Sequence, residues 1–379
     1  MIQDIAYSEN RNLDEALEDV YLQLPKGNMY GAVIFFASTV YDFEALSKKL
    51  NEHYPNAELI GTSTAGEISS KKGFSNNSLV VCGLYDTSTH FSGVLIEDAD
   101  RFPIIYKDKI ESAARKCGII LQSNGANRDA FGITFINGLC NSEEGVLSLL
   151  YSVIGDDEFK LAGGSSADDC KFTKTCICYN GEVVSNGAVV LFVKTRCKFQ
   201  IIRENIFKPS GRKVVLTDVI PETRTVVTID GKNAKRRYAE VLGISEGSAE
   251  DSTIRHPFGR VYGGNVFLSS LAAFNKDGSV AMYSRVIKNS VVEIMDPVDE
   301  ITETENTCKA VREHISKPGC VILINCLYRT IQFNQNHLFD KVSNMWKKYY
   351  GKFCGFSSYG EQIGKQNSNQ TLVAVVIEE

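Results

Sequence analysis

Three seven-residue stretches carry hydroxyls and an acid at one shared spacing. They are Gly61-Thr62-Ser63-Thr64-Ala65-Gly66-Glu67, Gly163-Gly164-Ser165-Ser166-Ala167-Asp168-Asp169 and Gly355-Phe356-Ser357-Ser358-Tyr359-Gly360-Glu361. The common pattern is Gly, any residue, Ser, Ser or Thr, a variable position, Gly or Asp, then an acid. A glycine after a strand lets the backbone turn sharply and lets a ligand approach it. Successive small residues can point several N–H groups at one anion. The hydroxyls add donors, and the acid can hold an ammonium or a guanidinium. On this chemistry the ligand-binding candidates are Thr62, Ser63 and Glu67, then Ser165, Ser166 and Asp168, then Ser357, Ser358, Tyr359 and Glu361. The same residues can simply close a turn, with the acid accepting from loop N–H groups; that reading, of an interaction scaffold whose loops hold no ligand, stands beside the first.

Two thiols and one histidine widen the choice. Cys140 and Cys326 each follow an apolar run, in Ile136-Asn137-Gly138-Leu139-Cys140 and Ile324-Asn325-Cys326-Leu327-Tyr328-Arg329. The carboxyl end of a parallel strand is where α/β proteins bind ligands. A thiol beside Arg329 can have a lowered pKa, and Cys326 and Arg329 therefore join the ligand-binding set. Either thiol, with an acid such as Glu361, is the basis of an alternative reading as a cysteine-dependent enzyme; a small buried side chain is the plainer role. His256 stands in Arg255-His256-Pro257-Phe258-Gly259-Arg260. Proline holds the residue before it extended. This is a setting for a haem axial ligand with Arg255 or Arg260 at the propionates, or for an ordinary hydrogen-bonded loop histidine.

Several chemistries find no support. A hydrolase nucleophile elbow needs G-x-S-x-G; after Ser63 the glycine comes one position late, and before Ser358 it is missing. The phosphate-loop, dinucleotide-fold and zincin motifs are absent. Cys170, Cys176 and Cys178 have no second pair at zinc-ribbon spacing. No residue is assigned as catalytic and none as a metal ligand, so the expectation is a non-enzyme.

The elements that must position these residues recur three times. Leu13, Ala16, Leu17, Val20 and Leu24 share one helical face, with Gly27 and Gly31 as the stop. An apolar strand over 32–36, a helix capped near Ser38 or Asp42 and stopped by Pro55, a strand over 57–60, the first loop and a strand over 79–84 follow. Strand 131–136, helix 143–154, the second loop, a hairpin and strand 188–193 repeat the order. Strand 321–324, a helix over about 330–349, the third loop and strand 372–377 repeat it again. Between the second and third repeats, residues 198–292 read as short alternating strands punctuated by Asp230-Gly231 and Asp277-Gly278. One helix over 233–242 interrupts them, and a charged helix over 297–315 follows. The expected fold is α/β, with repeated β-α-β-loop-β units forming largely parallel or mixed sheets and a β-rich segment between the second and third units. The expected domains are a helical segment over 1–29, a domain over 30–220 and a domain over 221–379.

Composition narrows the class. At 379 residues, 43% hydrophobic and 23% charged, the chain matches ordinary globular proteins. A net charge of -5 argues against a nucleic-acid binder, and the cluster of Lys347, Lys348 and Lys352 reads as a solvated helix end. Met1-Ile2-Gln3-Asp4 does not open a secretory signal, and no apolar run is long enough to span a bilayer. Eleven cysteines, an odd number, fit reduced thiols and a cytoplasmic protein.

The ordered motifs resemble the FIST family. The stretch Ala32-Val33-Ile34-Phe35-Phe36-Ala37-Ser38 and the first two loops are similar to its N-terminal domain. Gly231 through Tyr238 and Leu242, then His256-Pro257, Asn325-Cys326-Leu327-Tyr328-Arg329 and the third loop, are similar to its C-terminal domain. The resemblance implies a sensory module of intracellular signal transduction that binds a small molecule. It implies action in trans on a sensor histidine kinase, a cyclase or a chemotaxis receptor. A subgroup of the family implies a haem-based nitric oxide sensor.

Overall fold

The computed structural model describes residues 1–24, 30–262 and 265–379. Gly27 lies outside the described residues, as do 263 and 264 within the expected β-rich stretch 198–292. Two compact bodies emerge. The larger is Met1–Arg203, Glu305–Asn367 and Leu372–Glu379; the smaller is Glu204–Thr304 with Ser368–Thr371. Ile220 and Pro221, at the expected domain boundary, fall inside the smaller body.

The larger body contains the three repeats. The first runs Ala32–Ala37, helix Phe43–His53, Glu58–Ser63, a two-stranded arm Glu67–Ser69 and Gly73–Ser75, then Leu79–Tyr85. The second runs Ala130–Ile136, helix Glu143–Ile154, Lys160–Ser165, arm Ile177–Tyr179 and Glu182–Val184, then Gly187–Lys194. The third runs Pro318–Cys326, helices Leu327–Gln335 and Phe339–Tyr350, Cys354–Ser358, arm Glu361–Ile363 and Gln366–Ser368, then Thr371–Glu378. The single helix expected over 330–349 is thus two. The break comes at Asn336 and His337, where His337 takes a left-handed φ of 54° that ends a helical turn.

In each repeat the first two strands are parallel and in the same register. Ala37 faces Ser63, Ile136 faces Ser165 and Asn325 faces Ser357. The last strand then pairs antiparallel with the first, as in Ile34 with Cys82. The sheets are therefore mixed. Asp42 caps the helix Phe43–His53, accepting from Glu44 N at 3.1 Å and Ala45 N at 3.0 Å. The expected N-terminal helix is Leu13–Gln23, capped by Asn12. Residues Ile2–Ser8 before it form a strand that pairs antiparallel with Leu79–Tyr85.

The arms do not stay with their own repeats. The first arm pairs with the third repeat, Ile68 facing Gly355. The second pairs with the first repeat, Ile177 facing Thr62. The third pairs with the second repeat, Glu361 facing Gly164. The exchange is cyclic and leaves three six-stranded sheets. Their inner faces supply alternate residues to one common core, among them Ile34, Ile60, Ile133, Leu191, Ile322 and Val375. At its centre Phe36, Phe135 and Phe356 meet with ring centroids 5.1–5.8 Å apart. Helices cover outer faces: Val146, Leu150 and Val153 pack on the second repeat, and Leu46 and Leu50 on the first.

The smaller body is the expected β-rich segment, built on an eight-stranded sheet. Helix Ala234–Leu242 packs on it through Tyr238 and Ala239, against Val226, Phe258 and Ile294.

Candidate functional site: three loops and a thiol at the strand ends

Each loop hands a backbone hydrogen bond to the next. Ala65 N donates to Ser357 O at 3.0 Å, Ala167 N to Ser63 O at 3.0 Å and Tyr359 N to Ser165 O at 3.1 Å. Donor and acceptor are always the fifth and third positions of the pattern. The fifth residues, Ala65, Ala167 and Tyr359, consequently pack together, with Leu327 and Ile331 beside them. The glycines permit this approach. Gly66 sits at φ +118°, and a Cβ on Gly355 would come within 1.7 Å of the Leu323 carbonyl oxygen.

The hydroxyls of the loops are already engaged, one pair with each other and the rest with groups from outside the loops. Thr62 Oγ1 donates to Ser166 Oγ at 2.8 Å. Ser63 Oγ accepts from Cys176 N at 2.8 Å. Ser165 Oγ donates to Glu143 Oε1 at 3.2 Å and accepts from Gln362 Nε2 at 3.0 Å. Ser357 Oγ lies 2.7 Å from Thr330 Oγ1.

The acids divide into two kinds. Glu67 and Glu361 are wholly buried and each takes a hydroxyl from three residues back. Thr64 Oγ1 donates to Glu67, as do the amide and hydroxyl of Ser78. Ser358 Oγ donates to Glu361 Oε1 at 2.6 Å. Burial pushes the Glu67 carboxyl up to about 8; the hydroxyls of Ser78 and Thr64 oppose that rise, and the charge of Asp169 adds to it. In the second repeat the acids fasten loops. Asp169 accepts from Ser38 Oγ at 2.9 Å and Thr39 N at 2.8 Å. Asp168 accepts from the N–H groups of Phe172, Thr173 and Lys174 at 2.7–2.9 Å and from the Tyr359 hydroxyl. Burial works to raise the Asp168 carboxyl, but the Tyr359 hydroxyl and the loop N–H groups together hold it below the usual carboxylate range. Burial and the bond to Asp168 push Tyr359 up. Phe172 stacks on Tyr359 with centroids 4.9 Å apart. Residues 168–174 therefore form a cover over the point where the loops meet. Ser63 and Asp168 also line a cleft of about 330 Å³ with Thr39, Tyr41, Lys171 and Lys174.

The third repeat sets a thiol among these groups. Cys326 ends its strand in register with Ser358, so thiol and hydroxyl belong to the same row of the sheet. Cys326 is also the N-cap residue of helix Leu327–Gln335, and its side chain makes no capping bond. Arg329, in the first turn, is fully buried. Its Nε donates to Asn325 Oδ1 at 2.9 Å, and its guanidinium lies 5.1 Å from the Phe333 ring centre. Cys140 differs. It is half-buried before helix Glu143–Ile154, and burial, Asp100 and Glu143 all push its thiol up.

His256 belongs to the smaller body. Its Nδ1 lies 3.0 Å from the Met295 carbonyl and 3.3 Å from Asp296 Oδ1. Arg255 and Arg260 are exposed, and none of the three lines the cleft above. The partners of the His256 ring are those of a hydrogen-bonded loop histidine. Among the described residues no group of three or more His, Cys, Asp or Glu side chains converges as a metal site. Sequence reasoning missed Ser38, Ser78, Glu143, Asn325, Thr330 and Gln362 as partners of the loops. Ser38 and Asn325 could have been found by alignment of the repeats, since each lies within one residue of the same strand end.

Comparison with known proteins places the chain. A FIST N domain model matches residues 31–232 and a FIST C domain model matches 234–364. An uncharacterized protein of Methanocaldococcus jannaschii, MJ1623, is 24% identical over 92% of this chain and 73% of its own length. Two solved structures match all of this chain and 99% of theirs. One is a cyanuric acid hydrolase from A. caulinodans, at 8% identity and a TM-score of 0.40; the other is also a cyanuric acid hydrolase, at 11% and 0.36. Both are structures of hydrolases, whereas the expectation for this chain was a non-enzymatic sensor, haem-based or not. At such identities and scores no residue role passes from them to this chain, and any chemistry has to come from its own geometry. No helix among the described residues is long and apolar enough to cross a membrane. The two domain models together account for most of the sequence, and the chain belongs to the FIST family.

Proposed function

We propose that the chain is an enzyme working through a covalent thiol intermediate, with Cys326 as nucleophile and a small carbonyl compound, an amide or ester, as substrate. The observation that carries this reading is the succession of neighbours Cys326, Ser358 and Glu361. The thiol is the register partner of a serine whose hydroxyl donates to a buried carboxylate at 2.6 Å. The thiol proton passes to Ser358 Oγ as that hydroxyl gives its own proton to Glu361. The thiolate then attacks the carbonyl carbon, and the carbonyl π pair moves to oxygen. The start of helix Leu327–Gln335, where backbone N–H groups point out of the helix, supports both the thiolate and the oxyanion. Collapse of that intermediate expels the leaving group, which takes the proton back, and water later cleaves the thioester. Arg329, fixed by Asn325 and Phe333, adds positive charge in the same helical turn.

The test is a pre-steady-state assay with p-nitrophenyl acetate, followed by mass mapping. A burst of nitrophenolate with an acetyl group on Cys326, both lost in Cys326→Ala, is expected. Glu361→Gln should slow the burst while leaving the fold intact. Unchanged hydrolysis in Cys326→Ala would sink the proposal.

A further inference from the structure

The larger body has a second cavity, of about 670 Å³, that shares no lining residue with the loops or with Cys326. It opens where residues 128–129 lead into strand Ala130–Ile136, where Lys160 begins its strand, and where residues 195–200 follow strand Gly187–Lys194. That is the amino end of the second repeat's parallel pair, opposite to the loop end. Its lining carries four fixed cations, Arg128, Lys160, Arg196 and Lys198, against one carboxylate, Asp129. Asp129 is already engaged by Lys194 at 3.5 Å. Arg128 reaches Glu158 only at 4.0 Å, with both side chains largely in solvent, a distance at which an exposed pair holds little. Among the described residues Lys160, Arg196 and Lys198 make no ion pair. A chain of net charge -5 has no general excess of cations to scatter here.

The walls are rigid. Phe199 lies 4.6 Å from Phe131, and Lys160 Nζ sits 5.1 Å from the Phe199 ring centre. The turn carrying Arg196 and Lys198 is fastened on both sides. Thr195 Oγ1 accepts from Cys197 N at 3.1 Å and from Thr89 Oγ1 at 2.8 Å, while the Lys198 carbonyl accepts from Glu378 N at 2.8 Å. One further atom points to a ligand. Gln200 Oε1 is buried and finds no donor among the described residues. A buried acceptor left unmatched costs free energy, and a hydroxyl or amino group entering the cavity would satisfy it.

We propose that this cavity binds a small soluble polyanion that carries several phosphate groups and at least one O–H or N–H donor, of the nucleoside-polyphosphate kind. The cations take the phosphates through charge-assisted bonds, and Gln200 takes the donor. The cavity volume falls in the usual range for small-molecule sites. The proposal uses no residue of the thiol site, so each can fail alone.

Calorimetric titration of the whole protein with ATP and, separately, with inorganic tripolyphosphate tests it. Saturable binding of both is expected, tighter for ATP and weakening as ionic strength rises. The double variant Arg196→Ala/Lys198→Ala should weaken both by about tenfold or more. Gln200→Met should weaken ATP alone, because deprotonated tripolyphosphate offers no donor. Thermal unfolding confirms that both variants, the double one at exposed positions, remain folded. No saturable binding of either probe overturns the proposal. So does binding indifferent to the double variant, or an ATP preference that survives Gln200→Met.

Discussion

Glu67 is a carboxyl that the fold prefers to keep protonated near neutrality, since burial lifts it to about 8 from an ordinary 4.5. A group whose folded pKa is raised binds its proton more tightly in the folded chain. Its stabilising contribution is complete below the unfolded value and is lost as pH rises through the folded one. The window is therefore pH 4.5 to about 8, and the slope within it approaches about 1.4 kcal/mol per pH unit for one proton. Glu67→Gln keeps a neutral group against Thr64 and Ser78 and removes the titration. Urea denaturation between pH 6 and 9 should show the variant gaining on the parent as pH rises. Parallel stability profiles would mean that Glu67 is already charged in the folded protein. At this scale the sequence was partly readable. The two Gly-Glu endings set Glu67 and Glu361 apart from Asp169, and they are wholly buried where Asp169 is half-buried. Their partners were not all readable: Thr64 and Ser358 lie in the same loops, but Ser78 is eleven residues from Glu67 and reaches it only because the first arm turns back.

Among the elements, the strands were the easiest to read. Wholly buried runs such as Ala32–Ala37 and Ala130–Ile136 need no alternation to be recognised, because both faces are covered. The arms were not readable in their pairing. Three residues such as Glu67–Ser69 carry no signal of which sheet edge they join, and the partner lies hundreds of residues away. The cover over 168–174 escaped notice for a related reason. Asp168 and Tyr359 were both picked out as ligand-binding residues, yet the tyrosine hydroxyl donates to the aspartate across 191 positions. That bond makes the cover's opening testable. In Tyr359→Phe the ring remains under Phe172 but the charged acceptor loses a donor, at a cost of about 1–3 kcal/mol. Amides of Phe172, Thr173 and Lys174 should then exchange with deuterium faster, while those of helix Glu143–Ile154 stay as they were. Unchanged exchange over 172–174 would show that the three backbone donors alone hold the cover shut.

For the larger body as a whole, the cyclic exchange of arms dictates how it can come apart. No repeat completes its own sheet: each lends an arm to one neighbour and borrows one from the other. The three inner phenylalanines, one per repeat, touch pairwise, so loosening one exposes the other two. Independent unfolding of a single repeat would break pairings in two sheets besides its own contacts, and a cooperative transition is the cheaper route. Phe36→Ala removes a buried ring from that centre, and truncations of this size cost about 3–5 kcal/mol. If the three repeats form one cooperative body, the slowest amides of Ala32–Ala37, Ala130–Ile136 and Pro318–Cys326 should all lose protection by the same amount in Phe36→Ala. A loss confined to the first repeat's strands would show instead that the repeats open one at a time, and that the borrowed arms add contacts without coupling. The same measurement bears on the proposed thiol site. Cys326 and Ser358 lie on the paired strands of the third repeat, whose far edge is the first repeat's arm. A cooperative body would transmit the Phe36→Ala destabilisation to that pair, and in that case the rate of alkylation by iodoacetamide of Cys354, wholly buried on the strand that carries Ser358, should rise in the variant in step with the loss of amide protection there.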